Sequence, residues 1–174
     1  SLFLASVFML LLINQNAHAD LREVQSKYSG IVINGVTFND SKIKQIYSGL
    51  AKKHPFELFD KVMLSPDAMK EVKQNCKSRI RKYNYTCKMK NGRVEVQSIN
   101  GVVKRYRLTV DMSKEISIMS NSIIKKGKVT EKETKRLLEF MTEAVIARFN
   151  EFSPNGMKYS KKSTAIILVE RVIR

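Results

Sequence analysis

The sequence predicts an α+β fold: an antiparallel β-meander joined by a C-terminal strand, with helices packed on one face and one disulfide. Three observations predict it. Asn-Gly dipeptides, the strongest short hairpin signal, occur at Asn34-Gly35, Asn91-Gly92, Asn100-Gly101 and Asn155-Gly156. Between Tyr83 and Val110 apolar residues alternate with polar and cationic ones, as in a sheet with one dry and one wet face. Segments with apolar residues every three or four positions flank this region on both sides.

The chain opens with an apolar run, Leu2 to Ile13, then a polar stretch ending Ala17-His18-Ala19 before Asp20. These are the h-region and small-x-small cleavage site of a secretory signal. As a helix the run reaches about 18 Å, short of a hydrocarbon core of about 30 Å. Residues 1–19 are therefore read as a removed leader, leaving no transmembrane span, and 20–174 as one α+β domain in the periplasm or medium. Cys76 and Cys87, an even count in an exported chain, are read as a structural disulfide.

Residues 31–38 form a short hairpin or strand. Asn39 or Asp40 caps a helix with Ile43, Ile46, Tyr47 and Leu50 inward, and Pro55 opens another with Phe56 and Phe59. Ser65 serves as N-cap of the next, with Pro66 first in the helix and Asp67 in its first turn. Met69, Val72, Cys76 and Ile80 then make an apolar stripe that faces the sheet.

A two-residue turn at Asn91-Gly92 pairs Lys90 with Arg93, Met89 with Val94 and Cys87 with Val96. For the third strand, a two-residue loop at Asn100-Gly101 would turn Arg105 and Arg107 to the face of Val94 and Val96. A three-residue loop with Gly101 left-handed is expected instead. Tyr106, Leu108 and Val110 then point to the dry side with Tyr85, and Tyr83 shares their parity. Arg105, Arg107 and Thr109 join the wet side, with Glu95 opposite an arginine.

Residues 113–126 fit a helix through Ile116, Met119 and Ile123, or a strand through "EISIMS". Thr130 and Glu133 form a capping box for a long helix with Leu138, Met141, Val145, Phe149 and Phe152 inward. "TAIILVERVIR" closes the chain as a buried strand.

The formal charge is +16, and Lys73 to Arg107 holds eleven basic residues against the single acid Glu95. The acids gather elsewhere, as at Glu131, Glu133, Glu139 and Glu143. Such a field governs partners and solubility rather than fold. Outward cations also guard strand edges with no ligand at all. The residues placed to meet a partner are Lys88, Lys90, Arg93, Arg105 and Arg107.

Specific nucleic-acid binding is disfavoured, because single-strand platforms interleave aromatics with cations on one face whereas here they segregate. After the leader the only histidine is His54, beside Pro55, and no nucleophile elbow, zinc-protease, phosphate-loop or CxxC motif occurs. No cofactor, metal or catalytic residue is assigned. Asn84-Tyr85-Thr86 is an N-glycosylation triplet with meaning only in a eukaryotic secretory pathway. The reading is a non-enzymatic exported binding protein, of which an immunity or inhibitor protein is one version, docking an acidic protein or an anionic envelope polymer. The alternatives are a two-carboxylate hydrolase of an anionic substrate and an adaptor that pairs strands with a neighbour.

Overall fold

The computed structural model describes residues 20–50, 56–124 and 127–173. The leader assigned to 1–19, with His54 and Pro55, lies outside the described residues. Helix α1 covers 20–28. It is followed by β1 (Ile31–Ile33), β2 (Val36–Phe38), α2 (Asp40–Gly49), α3 (Glu57–Leu64) and α4 (Ala68–Asn75). Then come β3 (Lys77–Ser78), β4 (Tyr85–Met89), β5 (Gly92–Ile99), β6 (Val102–Asp111), α5 (Ser113–Ile123), α6 (Glu131–Glu151), β7 (Met157–Ser163) and β8 (Ile166–Val172). This is the α+β class, with helices on one face of an antiparallel sheet and the Cys76–Cys87 bridge in place.

The main sheet has six strands in the order β3-β4-β5-β6-β8-β7, all neighbours antiparallel. β8 thus lies inside the sheet, and the polar strand β7 flanks it. β1 and β2 form their own hairpin rather than extending the main sheet. Their turn, Asn34-Gly35, has both residues at positive φ (47° and 76°), the backbone that matches strand twist in two-residue hairpins.

The dry face presents Val94, Val96, Tyr106, Leu108, Ile167, Val169 and Tyr159, all buried. Against them lies α6, whose Leu137, Phe140, Met141 and Ala144 are buried as well. The stripe on α6 is wider than the spacing predicts, because α2 and α5 pack on this helix from outside the sheet. At its end Phe152 is 38% exposed, with the Arg148 guanidinium 4.4 Å from its ring centroid, so it is not the core residue expected. The Thr130/Glu133 capping box is formed, and 113–123 is helix.

Asp60 is buried where α3 meets the sheet. Its Oδ1 accepts the Tyr106 hydroxyl at 2.9 Å and Arg171 Nε at 3.1 Å. A buried carboxylate is tolerable only with such partners, and burial together with this carboxylate raises the Tyr106 pKa well above the ordinary phenol value. The same bonds pin α3 to β6 and β8.

Several local expectations are corrected. Ser65 does not cap α4: its hydroxyl donates to Val62 O, and α4 begins later, at Ala68. That helix stops at Asn75, which leaves Ile80 in a loop at 105% exposure rather than on the apolar stripe. The β4–β5 turn is Lys90–Asn91, not Asn91-Gly92, so Cys87 faces Val94 and Lys88 faces Arg93. Gly92 is the first residue of β5, and it is glycine because a Cβ there would stand 1.9 Å from Thr109 O. The shift is by two residues, which preserves every side chain's face.

Asn100-Gly101 is a two-residue turn after all, with φ of 51° and 74° and Ile99 paired to Val102. The parity is restored inside the strands instead. Ser98 pairs with Val103 but Gln97 with Arg105, leaving Lys104 as the bulged residue. Tyr106 and Leu108 therefore still point inward and Glu95 still faces Arg107.

Candidate anion-docking face

Helices cover one face of the sheet, and the other face carries Lys88, Arg93, Arg105 and Arg107, with Lys90 at its edge. Lys88, Lys90 and Arg93 are exposed near the β4–β5 turn, whereas Arg105 and Arg107 are half-buried. Lys88 and Arg93 are cross-strand partners, a repulsive arrangement for like charges. Lys90 stands in the turn itself, and Arg105, opposite Gln97, lies toward the other end of the sheet.

Arg93 Nε lies 3.9 Å from Glu95 Oε2, and Arg107 is more fully engaged. Its Nε and Nη2 both donate to Glu170 Oε1, at 3.0 and 2.7 Å. The Tyr83 ring lies over its guanidinium at 4.7 Å. Burial alone would lower the Arg107 pKa, but the Glu170 bond and the nearby Tyr83 and Glu95 outweigh it and raise the value. Strand register extends this pair into a row of Thr86, Glu95, Arg107, Glu170 and Lys158, with charge alternating from Glu95 to Lys158.

Tyr83 corrects the expected segregation of aromatics from cations. It precedes β4, so strand parity does not govern it, and its ring folds over the cationic face. That face is also partly apolar: Ile166, Leu168 and Val172 share it and are half-buried. Among the described residues, Glu95 Oε2, Arg105 Nε and Thr109 Oγ1 are buried atoms with no hydrogen-bond partner, and all three side chains belong to this face.

Sequence reasoning missed Glu170, Lys158 and Tyr83. The first two become neighbours of Arg107 only through the pairing of β6 with β8 and of β8 with β7, contacts between distant segments. The alternation in "ILVERV" held the one usable signal, since it puts Glu170 on the side opposite Val169.

Two further features bear on the alternatives. A cavity of about 270 Å³ between α1, α6 and β7 is lined by Asp20, Glu23, Glu143, Lys27, Lys158 and Lys161, among others. Glu143 is committed there, bonded to Lys27 Nζ at 2.7 Å and Lys161 Nζ at 2.9 Å. Burial raises its pKa, but the two lysines more than reverse this and hold it below the usual carboxylate range. Among the described residues no group of three or more His, Cys, Asp or Glu is placed to hold a metal ion, and no helix is long and apolar enough to cross a membrane.

The Asn84 amide is turned into the sheet, where its nitrogen donates to Ser98 O at 3.1 Å. In comparisons with known proteins, no family model matches the chain, and neither a curated protein nor a solved structure does.

Proposed function

We propose that this protein is an exported, non-enzymatic binding protein that docks an anionic partner, an acidic protein or a charged envelope polymer, on the open face of its sheet. One observation carries the reading: Lys88, Lys90 and Arg93 stand exposed around one turn, and the acid of that turn's strands, Glu95, faces Arg107 across the sheet and reaches Arg93 only at 3.9 Å. Cations so grouped raise the local concentration of an anionic partner and its association rate. Half-buried Ile166 and Leu168, at the same end of this face across β6, add apolar area of the kind that gives an interface its core. An immunity or inhibitor protein that covers an acidic effector is one form of this activity.

The alternatives draw less support. Glu143 is neutralised by two lysines, which suits a clamp between α1 and β7 better than an acid or base. For strand addition, one sheet edge is the two-residue β3 and the other, β7, carries Lys158, Lys161 and Lys162, a pattern that opposes edge pairing.

The test is capture of partners from envelope extract at low and high salt by the native protein and by a K88E/K90E/R93E variant. Salt-sensitive capture that the variant loses at unchanged melting temperature supports the reading. Equal capture by both proteins removes this face as the docking site.

A further inference from the structure

A different surface, at the opposite end of β4 and β5 from Lys90, combines exposed aliphatic side chains with cations. Ile80 is 105% exposed in the 79–84 loop, Ile99 and Val102 are 52% and 53% exposed on either side of the Asn100-Gly101 turn, and Leu64 is 44% exposed where α3 ends. These belong to one end of the molecule. Leu64 and Val102 line a common depression, and Ile99 is paired with Val102. The 79–84 loop is tied to the same place, since Arg79 N donates to Asn84 O and Asn84 holds Ser98.

Arg79, Arg81 and Lys82 flank Ile80 in the loop and Lys104 lies two residues after Val102; all four are exposed, with Asp67 the exposed acid of the α3–α4 corner. No acid occurs between Glu71 and Glu95 or between Glu95 and Asp111. The anchoring is firm. The disulfide closes the β3–β4 hairpin that carries the loop, and Asp60 fixes α3 to β6 and β8.

We propose that this end of the protein docks on an anionic lipid bilayer, with Ile80, Ile99, Val102 and Leu64 entering the interface and Arg79, Arg81, Lys82 and Lys104 meeting lipid phosphates. Charge complementarity selects this occupant, because four exposed cations stand here in a stretch whose one acid between Glu71 and Asp111 is Glu95. The aliphatics come from three separate segments, the end of α3, the 79–84 loop and the β5–β6 turn, and fluid acyl chains accept any arrangement of them. Apolar insertion and basic attraction together supply the two signals that stable membrane attachment takes. The proposal uses none of Lys88, Lys90 or Arg93 and stands apart from the open face.

The test is co-sedimentation with vesicles of phosphatidylcholine alone or mixed equally with phosphatidylglycerol. The protein used starts at Asp20, the mature start that the proposed export implies. Binding to the mixed vesicles only is expected. I80S/V102S should weaken it at least about tenfold, the loss expected when two aliphatic chains stop being buried. Arg79→Ala with Arg81→Ala should weaken it more at low salt than at high salt. Ile118→Ser, at a position 62% exposed on α5, controls for non-specific apolar adsorption and should change nothing. Circular dichroism verifies that each variant is folded.

The proposal is overturned if mixed vesicles fail to bind. It is overturned equally if I80S/V102S binds as the native protein does, since charge alone, as for an acidic protein or soluble polyanion, would then account for attachment.

Discussion

Asn84 and Ser98 are joined as two strand residues would be, but through a side chain. Asn84 Oδ1 accepts Ser98 N at 2.9 Å while Asn84 Nδ2 donates to Ser98 O at 3.1 Å. The amide group thereby supplies the backbone partners for Ser98 beside the bulge at Lys104. We expect Asn84→Ala to lower stability by about 1–3 kcal/mol, the cost of leaving such groups unpaired. Urea denaturation gives the loss, and faster amide exchange at Ser98 locates it. Asn84→Asp should not rescue, because a carboxylate cannot donate to Ser98 O.

Two glycines separate steric from conformational need. At Gly92 an added Cβ would stand 1.9 Å from Thr109 O, whereas at Gly101, with φ of +74°, nothing lies within 4 Å. Gly101→Ala should cost about 1–2 kcal/mol, the penalty of left-handed backbone for an L-residue. Gly92→Ala should cost clearly more, since β5 and β6 must separate. Paired thermal melts measure the difference.

Arg107 should be a stability residue as well as a surface cation. Its pair with Glu170 has side chains 33% and 41% exposed, so water screens it, and the ion pair itself contributes no more than about 1 kcal/mol. The Tyr83 stack adds to that. Arg107→Glu should therefore lower the melting temperature, in contrast to Lys88→Glu. Charge reversal at Arg105 and Arg107, the natural choice from sequence, would confuse docking with folding.

Glu143 sets an acid-side dependence. Its folded pKa is depressed, so its contribution is complete above the unfolded glutamate value of about 4.3 and is lost as pH falls through the lower folded value. Glu143→Gln should be less stable than the native protein at neutral pH, with the gap narrowing in acid. Denaturant midpoints from neutral pH to below 4 follow it.

The disulfide joins residues 11 apart in sequence, a loop whose closure is worth about 3 kcal/mol in the chain-entropy model. Cys76→Ser with Cys87→Ser should lose up to that amount. The first effect should be local, in hydrogen exchange at β3 and the 79–84 loop, since the central strands do not depend on the bridge.

The fold was legible where local chemistry decides. The Asn39 cap, the Thr130/Glu133 box, the dry and wet faces of β4 to β6 and the C-terminal strand all follow from short patterns. Register was legible only in parity. The Asn91-Gly92 signal failed because Gly92 is needed against Thr109, a contact from another strand, and the Asn100-Gly101 reading failed because the extra residue sits at Lys104 within the strand. Tyr83 and Ile80 escaped prediction because both lie in the loop, where periodicity carries no information. At the candidate face, the cations were found from sequence but their engagement was not: Glu170 reaches Arg107 from 63 residues away.

β8 follows both β6 and β7 in the sequence, yet it fills the gap between them. A nascent chain ending at Ala165 would hold both flanking strands with neither joined to the other. Sheet closure must therefore wait until residues 166–172 have emerged.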